Sequence, residues 1–263
     1  MTARSSRISE STHNRDVDFP HLPKAPIIEG LIAIQTKVGS DVAVSQLVQF
    51  GERIKSSYPT VKELREFQAH VAVAPNQATA QSFAQSHVGY RYEKPSPPFV
   101  AHARPNELLV SRLKPYDRWE NLLSETRSLW AEYYAICKPE AITRVATRFI
   151  NRIELPMDGL DFDAYLAAAP IIPKGLPQTF EGFLTRIVVP HPETGAHIAV
   201  SQILDAANPQ TRTLPVIIDI DVFKEMDLPG DSPVLWEILA KMRDVKNHAF
   251  FDSVTPKCLE LFE

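Results

Sequence analysis

Ala-Ile-Thr-Arg-Val-Ala-Thr-Arg-Phe-Ile-Asn-Arg-Ile-Glu-Leu, residues 141–155, is the stretch that decides the fold. Side chains alternate along a strand, so Arg144, Arg148 and Arg152 emerge on one side with Ala146, Ile150 and Glu154. Thr143, Val145, Thr147, Phe149 and Ile153 emerge on the other. One face is charged and the other apolar, the pattern of an antiparallel sheet with helices on one side and solvent on the other.

Working outward, amphipathic helices flank this strand at a distance. Asp117, three residues before Glu120, reads as a capping-box variant that opens a helix with Trp119, Leu122, Thr126, Leu129, Trp130, Tyr133 and Ile136 along one stripe. Pro139 closes it. Downstream, Ser232-Pro233 reads as an N-cap and first-turn proline. The helix it starts carries Leu235, Leu239, Met242, Val245 and Ala249, with Trp236 and Phe250 beside them, toward a core. Thr255-Pro256 caps a last turn.

Between and around the helices lie strands. Ile28, Ile32 and Ile34 mark the first, and Val44, Leu47, Val48 and Ile54 the short helix after it. Phe67, Ala69, Val71 and Val73 alternate within a half-buried strand over Glu66–Ala74. The glutamine-rich Pro75–His87 reads as a loop or weak helix. Strands follow at His87–Glu93, Phe99–Arg104 and Glu107–Leu113, the last two joined by Pro105-Asn106. After the central strand come a short helix (Asp161–Ala169) and strands Thr179–Val189, Ala196–Leu204 and Leu214–Phe223. The fold class is therefore α+β: two similar β-α-β(n)-α units, residues 23–139 and 140–263, sharing a mostly antiparallel sheet with long helices on one face. Residues 1–22 read as a disordered tail, since nothing in them repeats at a structural period.

Composition excludes several activities. The nine glycines come no closer than Gly175 and Gly182, so no dinucleotide fingerprint, phosphate loop or nucleophile elbow can be written. Two cysteines, Cys137 and Cys258, make no zinc knuckle, and the formal net charge of −4 gives no bulk attraction to nucleic acid or anionic membrane. No cofactor is expected and the chain leans away from being an enzyme. The mixed charges of the first 24 residues and the lack of an apolar run point to the cytoplasm, with no membrane contact.

Arg144, Arg148, Arg152, Arg186 and Arg112 are the candidate anion-binding residues, because a guanidinium fork binds phosphate bidentately and keeps its charge. The alternative is a ladder of ion pairs, with Asp219, Asp221, Glu154 and Glu181 as neutralising partners. Asp219 and Asp221 on one strand face are also weak metal candidates. Trp119, Trp130, Tyr133, Tyr134 and Trp236 read as core rather than as a ligand cleft, Cys137 as a buried small hydrophobe, and His70 and His197 as structural or exposed.

Six stretches together carry a family likeness: Ala25–Glu29 (APIIE), Tyr58–Val61 (YPTV), Ser111–Trp119 (SRLKPYDRW), Arg148–Ile153 (RFINRI), Ile218–Phe223 (IDIDVF) and Lys246–Phe251 (KNHAFF). They resemble a sporadically distributed bacterial family of uncharacterised proteins, designated only by a number. Ala25 departs from it, standing where a second proline is expected. The resemblance implies a bacterial, cytoplasmic, single-chain protein and brings no activity, cofactor or site residue. The element order is similar to TATA-binding-protein-like and helix-grip arrangements, which serve several functions. The functional expectation is a non-enzymatic binding module with a protein partner, and the patchy occurrence the resemblance implies fits an accessory or defence cassette; the alternatives are a nucleotide or nucleic-acid binder on the arginine face, and a metal-dependent hydrolase at Asp219 and Asp221.

Overall fold

The computed structural model describes residues 19–72, 80–207 and 210–263, with the side chains of residues 68–84 excepted. It is an α+β fold whose nine strands form one antiparallel sheet. The strands are β1 (Ile27–Lys37), β2 (Thr60–Ala72), β3 (Ala80–Pro95), β4 (Pro98–Arg104), β5 (Glu107–Leu113), β6 (Ala141–Pro156), β7 (Leu184–His191), β8 (Ala196–Leu204) and β9 (Thr213–Pro229). The helices are α1 (Leu47–Ile54), α2 (Trp119–Cys137), α3 (Val234–Phe251) and α4 (Pro256–Leu259). Spatial order across the sheet is β2-β3-β4-β5-β1-β6-β9-β8-β7. The first strand thus lies in the middle, paired with β5 on one side and β6 on the other.

The helices all lie on one face. α2 packs on β5 and β1, α3 on β9, β6 and β8, and α1 against α2 and β3. Their apolar stripes meet the inward residues of the strands: Ile32, Ile34, Leu108, Val110, Val145, Phe149, Ile153, Ile218, Ile220 and Val222 are all buried. Each such side chain contributes about 1.5–3 kcal/mol by leaving water. The aromatic residues Trp119, Trp130 and Tyr133 belong to this core, and both cysteines are buried in it. α2 ends where Lys138 takes the left-handed conformation and donates its N–H to the Tyr134 carbonyl at 2.9 Å, directly before Pro139. Among the described residues no helix is long and apolar enough to cross a membrane.

Several sequence expectations are corrected. β2 begins right after Pro59 rather than at Glu66, and Phe67, expected half-buried, is 76% exposed. Of the stretch Pro75–His87, residues 75–79 and the expected inward Val73 lie outside the described residues. Residues 80–87 are strand rather than loop or helix, because ladder pairing with β2 (Ala72↔Ala80 through Arg65↔His87) outweighs weak local propensity. The helix expected over Asp161–Ala169 is one 3-10 turn, Phe162–Ala164, after which Leu166 bridges to Val254. β7 starts at Leu184, five residues late, and β9 runs six residues further than read, to Pro229.

The capping box does not form. Arg118 is the N-cap of α2, without a side-chain cap, while the Asp117 carboxylate accepts from Arg118 N–H (2.8 Å) and from Asn121 Nδ2 (2.7 Å). Pro233, not Ser232, occupies the N-cap of α3, whereas Thr255 caps α4 as read. Of the segment taken as a tail, residues 1–18 lie outside the described residues. Phe19 stacks on Phe251 at 4.8 Å between ring centres, and Leu22 packs against the core.

Candidate functional site

Three places could carry function: the helix-free sheet face, the edge strand β7, and a cavity beside the starts of β1 and α2.

On the sheet face, register decides which side each arginine takes. Arg148 pairs with Leu31 of β1, and Leu31 with Ser111 of β5. Arg186 is level with Ser201, which is level with Asp219, which is level with Ile150. Arg144, Arg148, Arg152 and Arg186 therefore share the helix-free face with Asp219 and Asp221. Arg112 does not. It is level with Gly30 and Phe99 on the helix side, 4% exposed, with its guanidinium 5.1 Å from the Phe99 ring centre and Nε 3.4 Å from Asp117. The alternation Leu108, Val110, Arg112 carried that signal.

The three β6 arginines are all engaged. Arg148 grips Asp219 bidentately, with Nε to Oδ1 at 2.8 Å and the second nitrogen to Oδ2 at 2.5 Å. Arg144 reaches Glu225 at 3.4 Å and Asp221 at 3.9 Å over the Phe223 ring. Arg152 bonds Glu154 at 2.8 Å and also Asp205. Glu181 joins none of these pairs. Burial raises the Asp221 carboxyl above its usual range despite the neighbouring arginines, and its Oδ1 has no hydrogen-bond partner. Three guanidinium groups thus meet five carboxylates, so this part of the face presents no net positive charge to a phosphate. Arg148 occupies both oxygens of Asp219 while Asp221 has Arg144 at 3.9 Å, and among the described residues no group of three or more His, Cys, Asp or Glu could hold a metal. Between the charges lies an apolar patch of Leu31, Ala33, Ala146, Leu109 and Phe223, with His197 stacked on Phe223 at 5.4 Å. Arg186 makes no ion pair with any described residue.

Among the described residues strand β7 pairs with β8 alone, and none of them covers its outer edge. Among the described residues no helix covers it, and side chains on both its faces are exposed: Leu184 69%, Ile187 59%, Val188 50% and Val189 42%. Its run of unpaired backbone groups ends at Pro190, which has no N–H.

The cavity, about 370 Å³, lies where the N-terminal segment (Phe19–Leu22, Ala25–Ile27), the start of α2 and one side of α3 converge. Its inner wall carries Lys246, 9% exposed, whose Nζ sits 4.0 Å from the centre of the Phe149 ring. Burial, aided by the Arg243 guanidinium, pushes its ammonium down to about 7. Lys246 has no hydrogen bond or ion pair with a described residue. Asn151, also lining, is buried with Nδ2 donating to the carbonyls of Ile218 (3.0 Å) and Phe149 (3.3 Å). Sequence reading passed over Lys246, though its signal is present: it follows Leu239 and Met242 on the core-facing register of α3. Four of the six stretches quoted for the family likeness contribute lining residues: Ala25–Ile27, Tyr116–Trp119, Asn151, and Lys246–Phe251. No protein-family model matches the chain, and no curated protein matches it.

Proposed function

We propose that the protein is a non-enzymatic interaction module that takes an extended segment of a protein partner along β7, beside the helix-free sheet face. One observation carries this reading: among the described residues β7 is an edge paired on one side alone, with large apolar side chains on both faces. Exposed edges of that kind are usually blunted by charge or cover, because their free N–H and C=O groups template another strand. A partner strand would gain main-chain hydrogen bonds from the edge and side-chain burial from Leu184, Ile187, Val188 and Val189. The carboxylate partners of Arg144, Arg148 and Arg152 weigh against a nucleic-acid reading of the same face.

The strand order supports a finer architectural reading within the proposal. β1 and β6 meet at the centre, and each pairs outward with the last strand before a long helix. That is the arrangement expected of two similar units fused at their first strands, as in TATA-binding-protein-like folds. Membership of the sporadic bacterial family, and a place in the cytoplasm, belong to the same proposal.

The test is capture of a partner from a bacterial lysate by the immobilised full chain and by the double variant Ile187→Lys, Val189→Lys. Both positions are exposed, so the variant should fold with its melting temperature within a few degrees of the parent. The reading requires a protein that the parent retains with little dependence on salt and the variant loses. Capture that survives the two lysines, or a bound species that is nucleic acid and falls away steeply between roughly 50 and 200 mM salt, would refute it.

A further inference from the structure

We propose that the cavity beside α2 and α3 is a binding site for a small organic carboxylate, with its charged head at Lys246 and the first turn of α2, and its apolar body against the surrounding rings. The site is independent of the β7 edge and of the helix-free face.

Three observations converge on this chemistry. Lys246 is nine-tenths buried, lines the cavity, and makes no hydrogen bond or ion pair among the described residues, the Asp244 carboxylate acting on it only from a distance and offsetting little of the burial. A buried ammonium without a counter-charge is costly, and an anion entering the cavity would supply one. The second is the N-terminus of α2: Arg118, Trp119 and Glu120 line the cavity, and Asp117 takes the Arg118 N–H, but Arg118 at the N-cap makes no side-chain cap to the amides that follow. The amide groups of that first turn carry partial positive charge and suit an anion. The third is the wall itself. Phe19, Leu22, Trp119, Phe250 and Phe251 give an apolar lining to a volume at the small end of the range for small-molecule sites.

Charge balance selects a monoanion. The rim also carries Asp117, Glu120 and Asp244, which would repel the second charge of a phosphate dianion. Lys246, Arg118 and Arg243 balance these three carboxylates, so a bound monoanion leaves one net negative charge on the cavity and a phosphate dianion two.

The site has a built-in pH dependence. The charged and titratable groups that share the cavity with Lys246 are Arg243 and Asp244 on α3, Asp117, Arg118 and Glu120 around the start of α2, Tyr116 before it and His21 from the N-terminal segment. β6 adds Asn151 and Phe149, which do not titrate. Without ligand the Lys246 ammonium releases its proton near pH 7, whereas a bound carboxylate holds the proton on. Affinity should therefore be full at pH 6 and fall above pH 7, by up to about tenfold for each pH unit.

The experiment is calorimetric titration of the full chain with benzoate, benzamide and inorganic phosphate at pH 6, 7 and 8, repeated on Lys246→Met. Expected are saturable benzoate binding at or below about 10 mM, no binding of the neutral isostere benzamide, weaker binding of phosphate, a benzoate affinity at least fivefold lower at pH 8 than at pH 6, and loss of benzoate binding in the variant. Methionine keeps the shape of the lysine stem, so the variant should remain folded; its unfolding curve is recorded alongside. Any of the following overturns the proposal: no benzoate binding at 10 mM, benzamide bound as tightly as benzoate, an affinity flat with pH, or a folded Lys246→Met variant that binds as the parent does.

Discussion

Replacing Lys246 by methionine should make the protein more stable, and by an amount that depends on pH. In the unfolded chain the ammonium releases its proton near 10.5; in the fold burial moves this to about 7. Below pH 7 both states hold the proton, and the fold bears the whole cost of keeping a cation away from water. At 1.36 kcal/mol per tenfold change in proton affinity, that cost is about 4–5 kcal/mol. Between pH 7 and 10.5 the unfolded chain binds more protons than the fold, so stability rises with pH, by about 2 kcal/mol from pH 7 to 9. Above 10.5 neither state is charged and the contribution is flat. Lys246→Met removes the cost and the slope together, while its thioether keeps contact with the Phe149 ring. Urea unfolding of parent and variant at pH 6, 7, 8 and 9 measures the difference, and subtracting one from the other cancels every other titrating group. The expected gap is several kcal/mol in favour of the variant at pH 6–7, shrinking toward pH 9. A variant less stable than the parent, or a gap that does not change with pH, would mean that the ammonium has a counter-charge or solvent in the fold and that the burial argument is wrong.

Two further outcomes follow from the geometry. Arg148→Ala strands Asp219, which is 9% exposed and lies beside the half-satisfied Asp221, so denaturant unfolding should show a loss of about 1–3 kcal/mol; Asp219→Asn added to it should recover part of that loss. Gly230→Ala would set a Cβ 2.1 Å from the Pro139 carbonyl oxygen, where two backbone segments pass, and should cost about 1–3 kcal/mol, read as a melting temperature lower by roughly 2–12 °C.

The sheet was legible wherever one face is buried. The alternation in Ala141–Leu155 put Arg144, Arg148 and Arg152 on one side and Phe149 and Ile153 on the other, and Glu107–Leu113 and Ala196–Leu204 were read with their observed bounds. Reading failed where burial is weak. Residues 80–87 belong to the part of β3 that pairs with β2 but not with β4, so little of a core pattern marks them. Phe67 is exposed on the same ribbon, and no period-2 rule can say that a strand extends past the layer that would bury it. The site was harder still. Lys246 and Arg112 occupy core-facing positions that local pattern assigns to apolar side chains, and each has a ring against its charge: Phe149 under the ammonium, Phe99 under the guanidinium, which also reaches Asp117 and the Pro98 carbonyl. Phe149 comes from a strand far from Lys246 in sequence, and although Phe99 is on the hairpin strand next to Arg112, only the strand register places its ring against the guanidinium. The ion pairs on the helix-free face join β6 to residues 205–225, and only the final register says which carboxylate each arginine takes.

The central position of β1 has a consequence for synthesis. It leaves the ribosome before the other described strands, yet its neighbours β5 and β6 follow only after Leu113 and Pro156 have been made. At roughly 5–20 residues per second, the ~75 residues between the ends of β1 and β5 take about 4–15 s. For that interval the apolar Ile-Ile-Glu-Gly-Leu-Ile-Ala-Ile waits with both edges unpaired. The nascent chain is then most exposed to aggregation, and a holdase that shields Ile27–Lys37 during this interval would raise the yield of folded protein more than one acting after release.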